Sequence, residues 1–164
     1  MAEEPITTLL EMTARPALSV TRPHRGGMLL RLEEPSTDFY RFLLRSIGAS
    51  EEGDRLALAD EALFELLGDP LLDVFVLFLG GAPAGCFELD RRMVAEVELV
   101  RFGLLPGFRG RGLAKYLLAT AVETAWDEEP MRVWVQAAAG KASRSLLLYQ
   151  WAGFAPIQTD SADL

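Results

Sequence analysis

Val97-Glu98-Leu99-Val100-Arg101-Phe102-Gly103-Leu104-Leu105-Pro106-Gly107-Phe108-Arg109-Gly110-Arg111-Gly112-Leu113-Ala114 joins a strand pattern to the start of a helical one. Residues 94–104 read as a long strand, and residues from about 112 to 126 read as a helix with Leu113, Leu117, Ala121 and Ala125 on one face. A helix start presents up to four unpaired backbone N–H groups and the positive end of the helix dipole. Gly110 and Gly112 would let the main chain approach an anion with no Cβ in the way, and Arg109 and Arg111 add positive charge. In outline this is a cradle for a diphosphate. The same residues also suit a plain strand-to-helix turn, with glycines for geometry and arginines for solubility. A dinucleotide fingerprint G-x-G-x-x-G fails because position 115 is Lys and the turn lies past mid-chain, and no stretch supplies the G-x-x-x-x-G-K-[ST] of a P-loop.

Downstream of that turn, residues 131–137 predict a strand, 143–151 a helix and 154–158 a last strand. Upstream, the apolar runs 74–79 and 84–89 flank Gly80-Gly81-Ala82-Pro83, a hairpin signal. Earlier still, Pro35-Ser36-Thr37-Asp38 offers capping side chains for a helix carrying Phe39, Phe42, Leu43 and Ile47 and ended by Gly48. Asp60 is expected to cap a second helix bearing Leu63, Phe64, Leu66 and Leu67, stopped by Gly68-Asp69-Pro70. Residues 6–12 and 28–32 suit short strands, separated by an irregular connection that holds Pro16, Pro23, Gly26 and Gly27. The expected class is α/β, or α+β, with a central mixed sheet flanked by helices.

A chain of 164 residues fits one domain, residues 1–164, and can bury enough surface to fold without a staple. The 50% hydrophobic content is that of an ordinary globular protein. The net charge of −8 disfavours nucleic acid and anionic membranes, and it would draw in a cationic amine. The single cysteine, Cys86, sits in an apolar run and reads as inert packing in a reducing compartment. The only histidine, His24, lies in the irregular connection, so no metal site is expected. Met1-Ala2-Glu3-Glu4 lacks the basic-then-apolar pattern of a signal peptide. The strongest apolar run, residues 71–79, contains Asp73 and falls well short of the ~20 residues of a membrane helix. A soluble, cytoplasmic protein is expected.

Two motifs carry a family resemblance. Arg109-x-x-Gly112-x-Ala114, introduced by Leu105-Pro106, resembles the [QR]-x-x-G-x-[GA] acetyl-CoA signature of the GNAT superfamily of N-acetyltransferases. Leu148-Tyr149-Gln150-Trp151-Ala152-Gly153-Phe154 resembles that family's L-Y-x-x-x-G-F ending. The resemblance covers roughly residues 70–157. It implies a GNAT-like acyltransferase fold and acetyl-CoA as cosubstrate, with an acetyl-CoA-binding core over residues 71–158 and a variable acceptor-side part over residues 1–70. By position it implies Arg109, Gly110, Arg111, Gly112, Leu113 and Ala114 for the diphosphate. Phe102, Gly103 and Leu104 fall where the family's strand bulges away from its neighbour and the pantetheine arm bonds freed main-chain groups. A strand glycine such as Gly103 otherwise marks a close approach in the core.

Acetyl transfer to an amine requires a neutral nitrogen, whereas a lysine-like amine has a pKa of ~10.4. A base must accept that proton, and an acid can protonate the departing thiolate. No serine, cysteine or histidine set looks arranged for a covalent intermediate, so direct attack on the thioester is the simpler route. Alternation places Glu96 and Glu98 on one face with Val100 and Phe102, where burial would raise a carboxylate pKa, or else on a solvated strand face. Glu98, eleven residues before Arg109, matches the catalytic glutamate of several GNAT enzymes, with Glu96 as the second candidate. Tyr149 matches the family tyrosine that protonates the thiolate. Phe39 and Tyr40 would line the acceptor cleft by fold analogy.

The chain departs from the family's N-x-x-A-x-x-L-Y pattern at Ala142 and Ser145, and some relatives place His-Pro where Ala142-Ser143 stand. That departure keeps open a second class, an acyl-CoA-binding regulatory module without turnover, separable by whether thiol is released. No motif in residues 28–70 names the acceptor, which could be a small-molecule or a peptide amine. Dimers are common in the family, and the apolar balance is compatible with a homodimer.

Overall fold

The computed structural model describes residues 7–22, 27–138 and 144–157. His24, Ala142, Ser143 and the end of the last expected strand, Gln158, lie outside these. Within them the apolar runs form a seven-stranded mixed sheet of order β2-β3-β4-β5-β6-β1-β7. Its strands are β1 Thr7–Met12, β2 Gly27–Arg31, β3 Leu72–Leu79, β4 Ala82–Asp90, β5 Glu96–Leu104, β6 Arg132–Ala138 and β7 Ala155–Pro156. β5 and β6 run parallel, joined through α3 (Leu113–Trp126), and the other neighbours are antiparallel. The remaining helices are α1 Thr37–Ser46, α2 Asp60–Leu67 and α4 Arg144–Ala152.

Period-two alternation along the central strands decides which helices cover which face. Phe87 and Leu89 of β4 join Val97, Leu99, Val133 and Val135 in a core closed by Leu117, Leu118, Ala121 and Val122 of α3. Cys86, the residue before Phe87 and on the opposite face, packs instead with Leu43 of α1 and Val76 of β3. Because helices cover both faces, residues 84–89 of β4 are a continuous buried run with no polar alternate, apart from Glu88. Cys86 is 3% exposed and burial pushes its thiol up to about 12, which makes it inert at neutral pH.

Local chemistry sets most boundaries where expected and moves a few. Ser36 caps α1, its Oγ accepting from the Phe39 amide at 3.0 Å. Asp60 does not cap α2: Ala59 occupies that position without a side-chain bond, and the Asp60 carboxylate is taken by Arg41. The hairpin turn is narrower than read, since Ala82 and Pro83 already belong to β4. β5 begins at Glu96, because Ala95 turns the chain with φ 62 and Val94 is exposed. The last strand shrinks to two residues against β1.

Two irregularities in β5 shape what lies beside it. Its pairing with β6 runs only from Glu96–Arg132 to Leu99–Val135, although β5 continues to Leu104 and β6 to Ala138. The two parallel strands therefore part beyond Leu99. On the other side, Glu88 faces Arg101 and Leu89 faces Leu99, which leaves Val100 as the extra residue of a bulge. The bulge thus precedes Gly103, which sits in register with Cys86. Gly103 serves a close approach instead: a Cβ there would stand 2.8 Å from Ile47 Cβ at the end of α1. Among the described residues no helix is long and apolar enough to cross a membrane.

Candidate functional site

A cleft of about 720 Å³ opens where β5 and β6 part. Its walls are Leu44 of α1 and Ile47 at its C-cap, the loop from there down to Leu56, Asp90 at the end of β4 with Arg92 just beyond, and Glu98, Val100, Arg101 and Phe102 of β5. Thr7 of β1, Gln136 of β6 and Tyr149 of α4 complete it. The two residues singled out as base and acid, Glu98 and Tyr149, are thus brought to one cavity by different elements.

Glu98 is half-buried, directly across the ladder from Asp90, and its Oε1 accepts from Gln136 Nε2 at 3.2 Å. Desolvation raises its pKa above the usual carboxylate value, the Gln136 bond opposes this, the Asp90 charge adds to it, and Arg101 and Arg55 oppose it. A carboxylate raised in this way is a stronger base than a solvated one. Glu96 is otherwise engaged: Arg132 Nε lies 2.9 Å from its carboxylate, and it does not line the cleft. Tyr149 is 7% exposed, edge-on to Phe102 at 6.2 Å and to Phe154 at 5.7 Å. Burial pushes its phenol up to about 12, so it is protonated and can donate at neutral pH.

The glycine turn lies at the far end of β5. Gly110 and Gly112 have φ of +77 and +75, and a Cβ at either would meet nothing within 4 Å. They are needed for backbone conformation and leave open space in front of the main chain. Gly112 precedes α3 without a side-chain cap, and the first turn of α3 holds no acid, whereas Asp38 and Asp60 with Glu61 occupy those turns in α1 and α2. The positive end of α3 is therefore not neutralised by its own residues, so the turn fits a diphosphate. Arg109 donates from Nε to the Leu104 carbonyl at 3.2 Å, and the Arg111 guanidinium lies 5.4 Å over the Phe108 ring. Leu113 is buried in the core and Ala114 is half-buried, so only their main-chain groups suit a ligand. Phe102 lines the cleft, while Gly103 and Leu104 pair with Cys86 and Gly85 on the β4 side. Among the described residues, no pairing with β6 reaches that part of β5.

Phe39 and Tyr40 do not line the cleft. Tyr40 is 1% exposed, and its hydroxyl donates to Glu88, whose other oxygen receives Arg55 Nη2 at 3.0 Å. This buried triad was not anticipated. It anchors Arg55, which lines the cleft from the loop, to the middle of β4. The sequence signal was there: Glu88 is a lone carboxylate within the apolar run Gly85-Cys86-Phe87-Glu88-Leu89. Nor were the ion pairs of Arg101 with Asp54 and of Arg92 with Asp90 foreseen.

A mixed sheet with parting parallel strands, a glycine turn into a helix and a cleft lined by a carboxyl and a phenol describe an acyltransferase. The chain belongs to the acetyltransferase (GNAT) family, whose model matches residues 33–154. No curated protein matches it in sequence. Solved structures share its fold. An aminoglycoside acetyltransferase from an uncultured soil metagenomic sample, in complex with trehalose, is 20% identical with a TM-score of 0.64, over 81% of this chain and 91% of that one. The tandem GNAT protein from the clavulanic acid biosynthesis pathway is 16% identical, TM-score 0.69, over 94% of this chain and 51% of its own. A GCN5-related N-acetyltransferase from Sphaerobacter thermophilus is 14% identical, TM-score 0.70, over 94% and 50%. The chain thus spans nearly all of the first and about half the length of the other two.

Proposed function

We propose that the protein transfers an acetyl group from acetyl-CoA to a primary amine, with Glu98 as general base and Tyr149 as general acid. The observation that carries this reading is that Glu98 and Tyr149 line one cleft beside the parting of β5 and β6. Bound acetyl-CoA would supply an acyl thioester open to direct addition by the neutral amine. The amides at Gly112, Leu113 and Ala114 would hold the diphosphate, with Arg109, Gly110 and Arg111 completing the turn. Phe102, Gly103 and Leu104 would border the pantetheine arm along the unpaired edge of β5. Glu98, its pKa raised by burial, would take the ammonium proton, and the Tyr149 hydroxyl would return one to the leaving sulfur.

Within this reading residues 71–158 form the acetyl-CoA-binding core and the N-terminal part supplies the acceptor side, as the loop between α1 and α2 supports. Incubation with acetyl-CoA and a panel of amines, with free thiol monitored, tests the assignment. Thiol release that requires an amine is expected. Saturable acetyl-CoA binding without release for any amine would contradict it.

A further inference from the structure

The charge an acceptor must carry follows from how the cleft's own charges are spent. Among the described residues, those that are charged and line the cleft are Asp54, Arg55, Asp90, Arg92, Glu98 and Arg101. Arg101 donates to Asp54, and Arg92 grips Asp90 through Nε at 3.1 Å and Nη2 at 2.8 Å. Arg55 is held through the floor by buried Glu88 at 3.0 Å. Glu98 is the exception: among the described residues its side-chain partner is the neutral Gln136. Once each arginine is matched with its carboxylate, the described lining retains one unbalanced negative charge, and it lies on the proposed base.

Resting on the transferase reading above, we propose that the cleft selects amines bearing a single positive charge, seated at Glu98, and disfavours polycations. Within the lining, a second ammonium would settle beside Asp54 or Asp90, each of which already holds an arginine, and so within contact range of a guanidinium. It would meet like-charge repulsion there and lose hydration without gaining a counter-ion. Selectivity of this kind arises from what is repelled as much as from what is bound. The −8 net charge of the whole molecule does not restore the balance, because exposed charges beyond ~8 Å are largely screened at physiological salt. Arg101 is the residue that sets the limit. Its partner Asp54 is 64% exposed on the loop, so removing the guanidinium would leave a free carboxylate at a second point in the cleft.

The test compares monoamines, alkyl and arylalkyl, with analogues of the same length that carry a second terminal ammonium, by acetyl-CoA-dependent thiol release. For the wild-type protein kcat/KM is expected to favour the monoamine by about tenfold or more, after allowing for the two equivalent nitrogens. Arg101→Gln is expected to narrow that ratio to within about threefold, chiefly through a lower KM for the diamine. Equal or better use of the diamine by the wild-type protein overturns the proposal, as does a ratio that Arg101→Gln leaves unchanged. Absence of thiol release with every monoamine is a different result, and it overturns the transferase reading itself.

Discussion

At the scale of single residues, the proposed chemistry rests on one carboxyl and one phenol whose environments differ. Glu98→Gln is expected to lower kcat by roughly 10²–10⁴ where the amine is a cation, with acetyl-CoA affinity kept. The loss should be greatest at low pH, since the amine sheds its own proton as pH rises, and a wild-type pH–rate profile would remove Glu98 as the base. The same substitution has a stability consequence of definite sign. Because the folded-state pKa of Glu98 is raised, the stability it contributes is full below its unfolded value and is lost as pH rises through the folded one. At pH 7 to 8 the Gln variant should therefore melt at the wild-type temperature or above it, and a clear drop in Tm would contradict the desolvation of that site. Tyr149→Phe keeps the ring contacts to Phe102 and Phe154 and removes only the donor, so it should slow turnover with an unchanged melting curve. Glu98 and Tyr149 were both legible as candidates, because strand alternation and the Leu148-Tyr149 motif point at them, and the two do line one cleft. Arg55 and Arg101 were not, since nothing local in the sequence says which carboxylate an arginine will meet across a fold.

At the scale of elements, α1 and its loop are fastened to the sheet at Gly103 and at Glu88. Gly103→Ala would drive a Cβ into Ile47 and should cost about 1–3 kcal/mol in urea unfolding. Combined with Ile47→Ala it should cost less than the sum of the single changes, and strict additivity would deny the contact. Glu88→Ala would leave Arg55 buried beside an empty position and should cost about 3–5 kcal/mol. Element types were readable throughout because hydrophobic period and turn residues agree with the final packing. Positions that depend on partners were not. The Val100 bulge is a property of the β4–β5 ladder, and Asp60 gives up its cap because Arg41 of another helix claims it.

At the scale of the molecule, the mixed sheet, the parting of β5 from β6 and the family match over residues 33–154 agree on an acyltransferase. The order of elements along the chain foretold that architecture. It did not foretell that β1 would insert between β6 and β7, because a strand at the N-terminus carries no local mark of its distant partner. All of the proposed activity depends on the positive end of α3 being free to hold a diphosphate. Calorimetric titration of acetyl-CoA into the wild-type protein and Gly112→Asp tests this most directly, since Asp tolerates a positive φ better than most side chains yet places an anion at the cradle. The expected result is saturable one-to-one binding by the wild-type protein and none by a folded Gly112→Asp. Equal affinity in the two would contradict it.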